Sequence, residues 1–180
     1  MVYALSFGSQ LAVISMFPQF LESTFKLSVI TAGMVGSSFA ILNLVSRPAG
    51  GWISDLIEKK RSLILFVVGS MIGYIMMSQI NSSWPLWSVL LSAFGCSVFL
   101  QAGTGACFAA VPLIRKDLTG QIAGIAGAYG NVGAVVFLIM LSFVNPNNFF
   151  TAIAAYAAFV LLSLIFLKPF RNLHRSFYES

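Results

Sequence analysis

Charge is the scarcest commodity in this 180-residue chain: ten lysines and arginines and five acidic residues make up 8% of it. Soluble domains carry about a quarter charged residues, so a water-facing globular surface is excluded by composition. Acidic groups are rarer still, and apart from Asp55 at a boundary none falls inside an apolar run. No carboxylate is therefore placed to neutralise a buried cation or carry a proton across the chain's apolar stretches. The single histidine, His174, lies in a basic C-terminal segment and reads as solvated. The two cysteines, Cys96 and Cys107, fall on one predicted helix about 16 Å apart along its axis. They are too distant to bridge and read as small apolar packers. There is no HExxH, no nucleophile elbow and no carboxylate pair within an apolar run, so neither an enzyme nor a metal or cofactor is expected. A basic leader before a short apolar core, the mark of a cleavable signal, is not recognisable either.

What the sequence has in abundance is apolar surface: 58% hydrophobic residues and a mean hydropathy of +0.91. A membrane span needs roughly 20 apolar residues to cross about 30 Å of hydrocarbon. Six such runs stand out, at about 1–21, 29–53, 63–80, 85–113, 122–144 and 149–167. They are continuously apolar, where barrel strands would be short and alternating. The expected fold is therefore an all-α membrane protein with six transmembrane helices and the lipid bilayer as its surroundings.

The net charge of +5 does not call for a nucleic-acid partner, because the cations are segregated. Lys59, Lys60, Arg61, Arg115 and Lys116 sit in alternate connections, and Lys168, Arg171 and Arg175 in a tail at 168–180. The other connections offer only Lys26, offset by Glu22. This is a positive-inside pattern, and it puts both termini on the cytoplasmic face of the cell membrane. Breakers, Asn-Ser-Ser-Trp-Pro at 81–85 and Asn-Pro-Asn-Asn at 145–148, mark two of the opposite turns. Met1 opens directly on an apolar stretch with no polar lead. Six helices begun so abruptly suggest one half of a transporter built from two six-helix halves, with the substrate held between them near the midplane.

Against this background Arg47, in NLVSRPAGGWISD, is conspicuous. It lies about 10 Å of helix before Ser54 and the cytoplasmic end, where burying a guanidinium costs up to about 2.5–3.5 kcal/mol. Two roles are open to it. It can snorkel to headgroups or pair with Asp55, or it can supply a positive charge to a cavity that an anion completes. Asn43, one turn earlier on the same face, would then add a donor. A guanidinium fork fits a small planar oxyanion, such as nitrate or a carboxylate, better than a cation or a sugar.

A second constellation is GQIAGIAGAYGNVGA at 120–134. Gly124, Gly127, Gly130 and Gly133 recur every third residue. At 100° per residue Gly120, Gly124, Gly127 and Asn131 share a face, while Gly130 and Gly133 wind away from it. Such a stripe permits close helix packing and sliding, and Asn131 is the one amide on it that could contact a ligand. Gly103 and Gly105 thin the preceding span, where Gln101 and Thr104 are expected to bond within the bundle and Pro112 to end or kink the helix. Tyr3 and Phe7 share a helix face at i, i+4. Tyr3 is either an interfacial tyrosine or a deeper hydroxyl donating into a cavity.

These residues resemble the C-terminal half of the nitrate/nitrite porter family of the major facilitator superfamily, along essentially all of the chain. GGWISDLIEKK looks like the superfamily's loop motif, with Gly51, Asp55, Lys59 and Lys60 at the matching positions and Leu56 and Glu58 departing from it. TGQIAGIAGAYGNVGAVVF resembles the family's glycine-rich nitrate signature, and YALSFGSQLAV is similar to the uptake-type bacterial and cyanobacterial permeases. The resemblance implies that Arg47 binds the anion, that the Tyr3 hydroxyl contacts it and that the Phe7 ring walls the site. It also implies a second arginine on an N-terminal six-helix half, in the same chain or another. The expected function is movement of nitrate, or nitrite, by alternating access between the two halves. A facilitator for another small organic anion and a non-transporting membrane scaffold are the alternatives.

Overall fold

The computed structural model describes residues 1–166, the side chains of Phe39 and Ala40 excepted; the basic tail at 168–180 lies outside the described residues. Six helices are each long and apolar enough to cross a membrane. They are α1 (Ala4–Phe25), α2 (Val29–Leu56), α3 (Lys59–Ser78), α4 (Leu86–Ala110), α5 (Thr119–Leu141) and α6 (Pro146–Phe166). The first turn of α1, Ala4–Gly8, is π-helical. The apolar runs and the helices differ by a few residues at their ends, and the cause is local. Polar Thr119, Gly120 and Gln121 continue the backbone ladder of α5 outward, as Lys59–Ser62 do for α3. Pro146 takes the first position of α6, where a missing N–H costs nothing.

The turns are closed by specific caps. Lys26 adopts a left-handed φ of 56° and returns its N–H to Glu22, ending α1. Ser28 then accepts the Thr31 N–H at 3.1 Å to start α2. Asn147 donates from Nδ2 to the carbonyls of Ser78 (3.1 Å) and Ile80 (2.9 Å), tying the α5–α6 turn to the end of α3. α4 tightens at Pro112 into the 3-10 turn Val111–Leu113.

Lipid tails are as apolar as the helices, so packing rather than the hydrophobic effect holds such a bundle together. Here α4 is the hub. It packs on α2 and α3, α3 packs in turn on α6, and α1 runs between α2 and α5. The closest approaches need glycine. A Cβ on Gly50 would lie 2.1 Å from the Ala102 carbonyl oxygen, and one on Gly105 2.0 Å from the Arg47 carbonyl oxygen. These two contacts press α2 and α4 together backbone to backbone, immediately around Arg47. On the other side of α4, Gly69 lies against Phe99 and Gly73 against Cys96. Cys96 is buried and Cys107 partly buried, both as free thiols. Inside the bundle Tyr74 is fully buried and shares a 2.6 Å hydrogen bond with Ser9.

Two helices are left largely uncovered. The most apolar stretch of α2 is only 12% buried and that of α5 only 17%, against 67% for α1. Both α2 and α5 pack on α1 and leave most of their own surface uncovered.

Gly50→Ala is expected to destabilise the bundle by about 1–3 kcal/mol through overpacking. Gly33→Ala, on a part of the same helix where a Cβ meets nothing within 4 Å, should change stability by less than about 0.5 kcal/mol or raise it slightly. Thermal unfolding in detergent distinguishes the two.

Candidate functional site

Arg47 is half-buried on α2, and its surroundings are uncharged. Nε donates to Gln101 Oε1 at 2.9 Å, and the guanidinium carbon stands 5.5 Å from the centroid of the Phe7 ring. The Asp55 carboxylate is engaged elsewhere, in an ion pair with Lys59 across the α2–α3 turn. The remaining ion pairs among the described residues, Arg61–Glu58 and Arg115–Asp117, are at helix ends. Arg47 thus carries a positive charge, half-buried among apolar helices, with a neutral amide and an aromatic face as its partners. Its two terminal nitrogens keep their donors. The backbone beneath packs directly against Gly105.

Phe7 and Tyr3 reach this place from the start of α1. Their rings stack with centroids 5.3 Å apart and planes 11° from parallel. Phe108 of α4 meets Tyr3 edge-on at 5.0 Å and 76°. Both rings lie on α5: a Cβ on Gly130 would come within 2.4 Å of Tyr3 Cε1 and 3.0 Å of Phe7 Cδ1. One turn on, Gly133 faces Ala4, and Gly8 returns the contact against the Gly133–Ala134 backbone. Glycine at 130 is therefore what allows the aromatic pair to lie flat between α1 and α5.

The glycine stripe divides accordingly. Gly130 and Gly133 turn to α1, whereas Gly124 and Gly127, with Gly120, face open space. Close packing holds for the first pair, and the face of Gly120, Gly124 and Gly127 is uncovered within this bundle. Asn131 is exposed on α5 and is brought into no ring contact or hydrogen bond with Arg47, Tyr3 or Phe7. Asn43 is half-buried one turn before Arg47, with Oδ1 buried and unpartnered among the described residues. In the loop motif, Asp55 and Lys59 pair with each other and Lys60 donates to the Ile165 carbonyl at 3.1 Å. A Cβ on Gly51 would stand an ordinary 3.8 Å from the Gly105 carbonyl oxygen, and the position that must be glycine is Gly50.

Sequence reasoning did not find Phe108, nor the part Gln101 plays. Gln101, Gly105 and Phe108 are spaced i, i+4, i+7 and so share a face of α4, the face that meets Arg47 and Tyr3. A glutamine within an otherwise apolar run was the available signal.

Chemically, the arrangement offers a fork of N–H donors beside a wall of stacked rings, with a phenol near by and no competing carboxylate. That suits a small anion. The Major Facilitator Superfamily pattern matches residues 1–177. The chain is 49% identical over 142 residues to the nitrate/nitrite transporter NrtP of Picosynechococcus sp., covering 78% of this chain and 27% of that protein. It is 40% identical over 179 residues to the NrtP of Nostoc punctiforme, covering 98% and 36%. With the high affinity nitrate transporter 2.7 of Arabidopsis thaliana it shares 35% identity over 148 residues, covering 78% and 29%. It spans about a third of the length of these relatives.

Gly130→Ala is expected to lift the Tyr3 ring off α5 and cost about 1–3 kcal/mol of stability. Gly127→Ala, with nothing near its Cβ, should leave the melting temperature of this bundle within a degree or two, on the order of 0.5 kcal/mol. Parallel melts, with near-ultraviolet circular dichroism to follow the tyrosine environment, provide the check.

Proposed function

The chain belongs to the Major Facilitator Superfamily, and from that premise we propose that it is the arginine-bearing C-terminal half of a nitrate/nitrite transporter. The observation that carries this reading is the state of Arg47. Its charge is intramembrane, unneutralised among the described residues, and aimed to one side by Gln101 and Phe7. A charge so placed stays costly until an anion arrives, and the flat fork favours a flat oxyanion bound through paired N–H···O contacts. Tyr3 would add its hydroxyl. The stacked rings would exclude water and keep the local dielectric low, which strengthens the clamp. Relatives named as nitrate transporters favour nitrate over another small organic anion.

Transport would need the site to open alternately to the two sides of the membrane. The uncovered surfaces of α2 and α5 are where an N-terminal six-helix half would seat, joined to this chain or supplied separately, with a second anion-binding group of its own. Gly124, Gly127 and Asn131 would then line the seam between the halves, and the absence of side chains at the two glycines would let the halves slide. The basic turns at 59–61 and 115–116 would face the cytoplasm of the cell membrane.

In the assembled transporter, Arg47→Lys is expected to raise the KM for nitrate by about tenfold or more, because an ammonium cannot reproduce the paired contacts, while insertion and amount of protein are unchanged. Nitrate uptake into proteoliposomes, with nitrite as competitor, measures it. An unaltered KM in that variant would reject the clamp.

A further inference from the structure

Gln101 is fully buried on α4, and its carbonyl oxygen accepts from Arg47 Nε at 2.9 Å. The direction of that amide is dictated by chemistry: Nε–H can only donate, so the oxygen must face it. The amide's own nitrogen then points the other way, buried and without a partner among the described residues. An unpaired buried donor is unfavourable, and a methionine of similar length would fill the space without it. Packing alone gives no reason for glutamine here.

What glutamine does supply is orientation. A guanidinium can offer an anion either of two edges, the one that includes Nε or the one formed by the two terminal nitrogens. With Nε engaged by Gln101 and the guanidinium carbon 5.5 Å from the Phe7 ring centroid, the terminal edge is left for a ligand. The Gly105 contact on the Arg47 carbonyl holds the base of the side chain as well, so both ends of the arginine are set by α4.

We propose that Gln101 is a positioning residue that fixes which edge of Arg47 meets the anion, and so makes the site prefer planar oxyanions to spherical ones. This rests on the reading of Arg47 as the anion clamp.

The test is a double-mutant cycle in the assembled transporter, with nitrate uptake and chloride inhibition as readouts. Gln101→Met should raise the nitrate KM by about tenfold, keep the maximal rate within about twofold, and reduce the preference for nitrate over chloride. Gln101→Asn, too short to reach Nε, should do the same and serves if the methionine variant does not assemble. In an Arg47→Lys background, where there is no Nε edge to orient, either change should shift KM by less than about twofold. Equal shifts in both backgrounds would make Gln101 a merely structural residue and overturn the proposal. So would an unchanged KM in both Gln101 variants when Arg47→Lys alone raises it, a result that leaves the clamp standing. An unchanged KM for Arg47→Lys alone would remove the clamp and this inference with it.

Discussion

A single unpaired guanidinium sets the terms for the rest of this bundle. Placing Arg47 inside an apolar helix is unfavourable unless the side chain reaches water, an acid or an anion. The acid within reach along the helix, Asp55, is committed to Lys59. The polar contact that remains is a neutral one, from Gln101, which orients the charge without cancelling it. A carboxylate at that position would have neutralised the arginine and removed its attraction for an anion. An apolar residue would have left it free to swing.

Keeping that geometry demands close backbone packing, and the glycines supply it. Gly50 and Gly105 seat α2 on α4 at the level of Arg47, and Gly8, Gly130 and Gly133 seat α1 on α5 around the aromatic pair. Both contacts are of a kind that a single methyl group disrupts. The surfaces of Gly124 and Gly127 are under no such constraint in this bundle. One signature thus serves two ends, half of it holding the site together and half facing open space.

The six helices were legible because each is an uninterrupted apolar run of membrane length, and the family resemblance holds with relatives at 49% and 40% identity. Arg47 stood out for the same reason: a cation among apolar residues has few places to hide. Helix ends were less clear, since Thr119 and Gln121 are polar yet helical. The stacking of Tyr3 on Phe7 follows from i, i+4 spacing, but Phe108 joins them from another helix, and no local pattern announces that. Gln101 could be expected to bond somewhere in the bundle. Its partner, 54 residues away, depends on which faces of α2 and α4 meet, which the near-uniform apolarity of both helices conceals.

The π-helical turn at Ala4–Gly8 was also invisible in the sequence, and it has a geometric consequence. An i→i+5 turn holds one residue more than an α turn, which amounts to about 100° of phase along the helix. Residues before it and after it therefore follow different azimuths. Tyr3, before the turn, and Phe7, within it, lie stacked against Gly130 of α5, while Ser9, the first residue beyond it, hydrogen-bonds Tyr74 of α3. With Tyr3 as reference, that phase decides which residue of α1 meets Tyr74 on α3: Ser9 takes the place that Gly8 would hold in an unbroken α-helix.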